Sequence, residues 1–74
     1  MNEWIKCSER IPPLGINYRF LFVNGKGEVT FGYAYENWPQ EENGSIWIND
    51  MDRETNELAV YWTELPNPPE VKDE

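Results

Sequence analysis

Histidine is absent from this 74-residue chain, and cysteine occurs only once, at Cys7. Without histidine the chain has no side chain whose ordinary pKa lies near neutral pH, and it cannot form the histidine-activated nucleophiles of many hydrolases. A single cysteine excludes an intrachain disulfide and a zinc site of the Cys/His type. We therefore expect no catalytic residues, no metal site, no cofactor and no enzymatic activity.

Long apolar runs are also missing. No run reaches the roughly 18 residues of a transmembrane helix, and the first residues lack the apolar core of a signal peptide. The sequence therefore predicts a cytoplasmic protein that does not enter a membrane.

Positive charge is scarce. The chain contains six Lys and Arg residues and 14 Asp and Glu residues, which gives a formal net charge of −8. The imbalance is uneven: residues 1–35 carry a net +1 and residues 36–74 a net −9. Such a chain repels the phosphates of nucleic acids and the surfaces of anionic membranes. We expect neither as a direct partner.

Aromatic residues are plentiful, with four Trp, four Tyr and three Phe. A domain this short buries only about 60% of the surface of its unfolded chain, so its core must come from large side chains. We expect most of the rings to lie in the core. Trp62 is the last large residue before a proline-rich segment and is predicted to anchor the fold.

Alternation with period two predicts strands at residues 18–23 and 28–35, joined by a tight hairpin at Asn24-Gly25-Lys26-Gly27. Two further strands are predicted at 45–49 and 58–63, and no helical stripe is present. The predicted fold is mainly β: a small three- or four-stranded antiparallel sheet formed by residues 1–66. Residues 67–74 are predicted to be an extended or disordered, acidic, proline-rich tail.

The return strand carries small side chains on one face, at Thr30, Gly32 and Ala34. Small side chains let another segment approach closely. We expect the N-terminal Trp4-Ile5 to pack there.

The two ends of the chain together match a known pattern. The start follows Trp-Ile-x-x-x-Glu-Arg-x-Pro from Trp4 to Pro12, and the end follows Trp-x-x-Leu-Pro-x-Pro-Pro from Trp62 to Pro69. The chain thereby resembles a phage and prophage family of small proteins, domain of unknown function 551. It departs from that family at Tyr61, where relatives usually have His, and at Thr63-Glu64, where they have Met-Pro. The resemblance implies a phage-encoded cytoplasmic accessory protein and supplies no mechanism.

The acidic second half suggests a partner-binding surface. The carboxylates lie in two predicted loops and can imitate the charge of a nucleic acid. Trp38, in the first of these loops, would supply an apolar hot spot. The leading hypothesis is an inhibitor that binds the basic surface of a host nucleic-acid-handling or defence protein through Glu36, Trp38, Glu41, Glu42, Asp50, Asp52, Glu54 and Glu57. The competing interpretation is that these loops are acidic for solubility.

Two other functions remain open at this point. Aromatic residues beside a cation can hold a nucleotide-like ligand, with Arg19, Lys26, Tyr33, Tyr35 and Trp38 as candidates. A virion or scaffold component would instead form homo-oligomers through a free sheet edge.

The alternate spacing of oxygen-bearing side chains resembles that of a calcium-binding loop, at Asp50, Asp52, Glu54 and Asn56. The glycine and the bidentate glutamate of such a loop are missing, since the sixth position is Thr55 and the twelfth is Tyr61. We therefore interpret residues 50–57 as an exposed polar loop.

Overall fold

The computed structural model describes residues 3–65, which form five antiparallel β-strands. The strands are β1 (Ile5–Lys6), β2 (Arg19–Asn24), β3 (Val29–Ala34), β4 (Ile46–Asp50) and β5 (Thr55–Thr63). The predicted mainly β, antiparallel fold is confirmed. Within residues 3–65 there is no helix able to span a membrane. The predicted tail at 67–74 lies outside the described residues.

The hairpin between β2 and β3 forms where the sequence predicts it. The amide of Gly27 donates to the carbonyl of Asn24 at 3.0 Å, and Gly27 has a φ of +83°. That conformation is accessible to glycine at little steric cost, so the turn is specified locally.

The sheet closes on itself because the two halves of β5 pair with different strands. Its first half pairs with β4, from Thr55 opposite Asp50 to Ala59 opposite Ile46. Its second half pairs with β2, where Trp62 lies opposite Phe22. The order β5-β2-β3-β4 therefore returns to β5 and forms a small barrel, with β1 added beside the second half of β5. The strand predicted at 58–63 begins three residues too late and therefore lacks the pairs that Thr55, Asn56 and Glu57 form with β4.

Closure makes the interior too narrow for most of the rings, because barrel diameter falls with strand number. The buried apolar core consists of Cys7, Phe22, Ala34, Ile46, Ile48, Ala59 and Trp62. Only two of the rings in residues 3–65 are thus buried, and the expectation that most of them form the core is wrong. The small positions of β3 face inward, and Tyr33 faces outward.

Gly32 shows how closely the backbones pack in this interior. A methyl group at this position would lie 1.8 Å from the carbonyl oxygen of Asn49 in β4. The segment that approaches the small face of β3 is therefore β4. The predicted placement of Trp4-Ile5 there is wrong, since Ile5 pairs with Trp62 in β5.

The N-terminal segment runs along the free edge of β5. The amide of Cys7 donates to the carbonyl of Val60 at 3.0 Å, and the hydroxyl of Thr63 donates to the carbonyl of Glu3 at 2.9 Å. The indole Nε1–H of Trp62 donates to the carbonyl of Arg10 at 2.7 Å. Trp62 is buried, and these contacts tie the two ends of the chain together.

Cys7 gives a pH-dependent test of this core. It is only 1% exposed, and burial raises the pKa of its thiol from 9.0 to about 11. The unfolded chain ionises the thiol first, so the stabilising contribution is complete below about pH 9 and is lost as the pH rises toward 11. We expect a loss on the order of 2 kcal/mol over this range.

Urea unfolding of wild type and Cys7→Ala, each measured across pH 8–11, isolates this contribution. The alanine variant is expected to lack the part of the decline that the thiol causes. Parallel curves for the two proteins would contradict the burial of Cys7.

Candidate functional site

Four rings form a continuous surface on the outside of the barrel, here called the aromatic platform: Tyr33, Tyr35, Trp38 and Trp47. Tyr35 stacks on Trp38 with ring centres 4.5 Å apart and an interplanar angle of 23°. Tyr33 meets Tyr35 at 5.6 Å, and Trp47 meets Trp38 at 5.3 Å, both edge to face. Successive side chains of a strand point to opposite faces, and Tyr33 in β3 and Trp47 in β4 point outward.

Hydrogen bonds fix the platform in one orientation. The amide Nδ2 of Asn49 donates to the hydroxyl of Tyr35 at 3.0 Å, and that hydroxyl donates to Oδ1 of Asn56. The indole Nε1–H of Trp47 donates to Oε2 of Glu41 at 3.0 Å. Trp38 nevertheless remains 43% exposed at the centre of the platform. Hydrogen bonds therefore hold Tyr35 and Trp47, while the ring of Trp38 between them is exposed to solvent.

The loop between β3 and β4 that carries Trp38 also carries three exposed carboxylates, from Glu36, Glu41 and Glu42. The loop that carries the last two is held by Gln40, whose Nε2 donates to the carbonyls of Cys7 and Gly44 at 3.0 and 2.8 Å. The structure thus brings Trp38 and the acids of residues 36–44 together.

A separate polar cluster closes one end of the barrel around Arg53. Its Nη1 lies 3.1 Å from Glu28, 3.4 Å from Asp50 and 3.5 Å from Glu57. The amide Nδ2 of Asn24 also donates to Glu28 and Glu57, at 3.0 and 2.7 Å. We call this group the Arg53 cluster.

Asp50 is the buried member of the Arg53 cluster, with a side chain that is 0% exposed. Its Oδ1 accepts hydrogen bonds from the Thr30 hydroxyl at 2.5 Å and from the amides of Asp52 and Arg53 at 3.0 and 3.1 Å. Burial opposes ionisation of Asp50, but these hydrogen bonds outweigh it and lower its pKa. The hydrogen bond from Asn24 and the charge of Arg53 lower the pKa of Glu28.

The interpretation of residues 50–57 as an exposed loop is therefore wrong. Asp50 ends β4, residues from Thr55 onward belong to β5, and Glu57 is partly buried against Arg53. Only Asp52 and Glu54 remain exposed carboxylates in the connecting turn, where Glu54 has a φ of +57°.

The two acidic loops of the sequence analysis do not form one patch. Residues 36–44 precede β4 and residues 51–54 follow it, so the five-residue length of β4 separates them. At about 3.3 Å per residue this separation is roughly 17 Å. The partner-binding residues divide into a group at the platform and a group at the Arg53 cluster.

The residues of the alternative ligand site are also divided. Tyr33, Tyr35 and Trp38 lie together, and Arg19 pairs with Tyr33 across the β2–β3 ladder. The Nε of Arg19 donates to the carbonyl of Ile16 at 3.2 Å. Lys26 lies in the hairpin at the opposite end of these strands and lines the groove beside the Arg53 cluster.

Two grooves adjoin these groups. The larger, about 640 Å³, lies beside the Arg53 cluster, whose polar side chains already bond to one another. The smaller, about 320 Å³, is lined by Gly15, Ile16, Tyr33, Tyr35, Glu36 and Trp38. Across residues 3–65 no group of three or more His, Cys, Asp or Glu side chains is arranged to hold a metal ion.

Comparison with known proteins identifies the family. A family model described as "Protein of unknown function (DUF551)" matches residues 3–70. The chain belongs to the DUF551 family. No curated protein and no solved structure matches it.

The two DUF551 end motifs meet at Trp62 in this structure. The indole of Trp62 donates to the carbonyl of Arg10, and the Arg10 guanidinium lies 5.5 Å from the centre of the same ring. Pro12 of the opening motif is fully buried. In the part of the chain that the structure describes, the opening motif and Trp62 thus join the N-terminal segment to β5.

Sequence reasoning missed Trp47 and its supporting residues Asn49 and Asn56 in this DUF551 protein. Alternation along β4 holds the signal, since Ile46 and Ile48 are buried and Trp47 faces outward between them. Contact between Trp47 and Trp38 depends on the pairing of β3 with β4, which no local pattern specifies.

Proposed function

We propose that this DUF551 protein is a small non-catalytic binding protein that captures a basic protein surface through the aromatic platform and its three carboxylates. The observation that carries the proposal is Trp38, which stacks on Tyr35 and is nearly half exposed, with Glu36 and Glu41 nearby in sequence and structure. Exposed tryptophan and tyrosine are the residues that contribute most to binding energy at protein interfaces.

Rigidity and charge both favour this function. The hydrogen bonds to Tyr35 and Trp47 hold their rings in place, so binding costs little side-chain entropy. The net charge of −8 attracts a basic partner over a distance and raises the association rate. The platform then supplies apolar contact at short range.

We further propose that the partner is a cytoplasmic host protein that handles nucleic acid, and that binding inhibits it. A basic channel that accommodates phosphates is complementary to the carboxylates of residues 36–42. The phage-like source implied by the end motifs supports an inhibitory role.

The other two functions have less support. Lys26 lies elsewhere, and although Arg19 lies opposite Tyr33, the groove at the platform carries the carboxylate of Glu36, which repels an anionic nucleotide. Closure of the barrel leaves β2 to β5 paired on both sides, and within residues 3–65 only the two-residue β1 offers a free edge for oligomerisation.

Capture of host proteins by the immobilised protein tests the proposal. We expect a basic, nucleic-acid-binding partner that is retained at about 50 mM salt, released at several hundred millimolar salt and displaced by duplex DNA. Trp38→Ala should weaken capture by about tenfold or more. Replacing Glu41 and Glu42 by Lys should abolish it through charge repulsion.

Two matched variants serve as controls. Trp4 is 42% exposed and lies outside the platform, so Trp4→Ala should capture the partner as wild type does. Replacing Asp52 and Glu54 by Lys changes the net charge by as much as replacing Glu41 and Glu42 does. Asp52 and Glu54 lie after the end of β4, away from the loop that precedes it. Equal loss of capture in test and control variants would contradict the proposal.

A further inference from the structure

We propose that the groove beside the platform binds one arginine side chain of a partner protein, with the guanidinium between the Glu36 carboxylate and the rings of Tyr33 and Trp38. This inference rests on the proposed function and specifies the chemical group that is recognised. Its basis is the juxtaposition of an unpaired carboxylate with aromatic surface in one groove.

The backbone at Gly15 makes room for that carboxylate. Gly15 has a φ of +110°, and its amide donates to the carbonyl of Ala34 at 2.8 Å, which holds the loop against the end of β3. A methyl group at Gly15 would lie 3.1 Å from Oε2 of Glu36. The absence of a side chain therefore lets the Glu36 carboxylate lie along the wall of the groove.

Glu36 differs from the carboxylates that are bound by other side chains of the fold. Glu41 accepts a hydrogen bond from Trp47, and Glu28, Asp50 and Glu57 all contact Arg53. Within residues 3–65 no donor pairs with the carboxylate of Glu36. It is thus available to bind a cation supplied by another molecule.

Arginine suits this groove better than lysine. Its guanidinium is planar, stacks on aromatic rings and donates two parallel hydrogen bonds to one carboxylate. The lysine ammonium is a strongly hydrated point charge without a planar face. The groove has a volume of about 320 Å³. This volume is at the lower end of the range of about 300 to 1,000 Å³ for drug-sized ligands, so the groove suits a single side chain.

The protein already makes a contact of this kind within its own fold. The Arg10 guanidinium lies 5.5 Å from the centre of the Trp62 ring. That distance is within the roughly 6 Å range of cation–π attraction. Trp38 offers the same type of ring on the surface, with a carboxylate added.

The test measures binding of three short peptides to the whole protein. The peptides are acetyl-Gly-Arg-Gly-amide and its lysine and citrulline equivalents, where citrulline keeps the planar shape and lacks the charge. Tryptophan fluorescence and the NMR signal of the Trp38 indole report binding. We expect saturable binding of the arginine peptide, about threefold or more weaker binding of lysine, and about tenfold or more weaker binding of citrulline.

Variants then assign the binding to the groove. Glu36→Gln keeps the shape of the side chain and should weaken arginine binding by about tenfold, and Trp38→Ala should do the same. Glu9→Gln removes an exposed carboxylate that does not line the groove and should have no effect. Unchanged melting temperatures verify that each variant is folded.

Equal binding of the arginine and citrulline peptides, or equal losses in Glu36→Gln and Glu9→Gln, would overturn the inference. The same variants separate it from the proposed function. Capture of a basic partner that depends on Trp38 but is unchanged in Glu36→Gln leaves the function standing and refutes the arginine site. Arginine-peptide binding without salt-sensitive capture of any basic protein supports the groove and refutes the function.

Discussion

Replacement of Trp62 by alanine is expected to lower the free energy of unfolding by about 3–5 kcal/mol. The indole is 3% exposed, packs edge to face against Phe20 with ring centres 5.1 Å apart, and donates to the carbonyl of Arg10. Removing it opens a cavity where β1, β2 and β5 meet. Small domains have only a modest reserve of stability, so urea unfolding should show a folded population greatly reduced even without denaturant.

Two further substitutions locate the source of that loss. Trp62→Phe keeps most of the apolar volume and leaves the Arg10 carbonyl without its donor, so it should cost about 1–3 kcal/mol. Trp4→Ala removes the same side chain from a position that is 42% exposed and should cost well under half as much as Trp62→Ala. Similar melting temperatures for the two alanine variants would refute the role of Trp62 in joining the chain ends.

The strands and the first hairpin could be predicted because their signals are local. Period-two alternation marks residues 18–23 and 28–35, and the glycine at position 27 has the positive φ that the turn requires. Closure of the barrel could not be predicted, since it depends on the polar residues 55–57 continuing β5 backward to pair with β4. Their hydrophobicity does not distinguish them from a loop.

The location of the rings follows from closure and was therefore predicted wrongly. An open sheet of this length needs large side chains to form a core, whereas a closed barrel fills its narrow interior with small ones such as Gly32 and Ala34. Tyr33 of β3 then faces outward. Size and hydrophobicity alone cannot decide which face of a strand becomes the interior.

The platform was predictable in part. The loop composition around Trp38 indicates exposure, and Tyr33 and Tyr35 are close to it in sequence. Trp47 joins them only through pairing of β3 with β4, where the amide of Tyr35 donates to the Trp47 carbonyl at 3.1 Å. Such contacts depend on tertiary register, which the sequence pattern does not give.

Asp50 resembles a loop carboxylate in the sequence and is a structural residue in the fold. Asp50→Ala should lower the free energy of unfolding by about 3–5 kcal/mol, because it leaves Arg53, two backbone amides and the Thr30 hydroxyl without their shared acceptor. Asp50→Asn retains one acceptor oxygen and places an amide group near Arg53, so a smaller loss of about 1–3 kcal/mol is expected. Urea unfolding at neutral pH measures both.

The pH dependence of stability separates the contribution of the Asp50 charge from the contribution of its side-chain shape. Folding lowers the pKa of Asp50, so its contribution is present above the ordinary aspartate pKa of about 4 and is lost as the pH falls through the folded value. Glu28 contributes in the same direction. Wild type should therefore lose stability below about pH 4, and Asp50→Asn should lose less over the same range.

Asp52→Asn is the matched control for this acid instability. It makes the same chemical change two residues away, at an exposed side chain in the same turn, and should follow the wild-type curve. If Asp50→Asn and wild type instead lost stability in parallel as the pH fell, the ion pair of Asp50 with Arg53 would not hold the barrel end together. The predicted difference requires that Arg53 and Thr30 bind an ionised Asp50 in the folded protein.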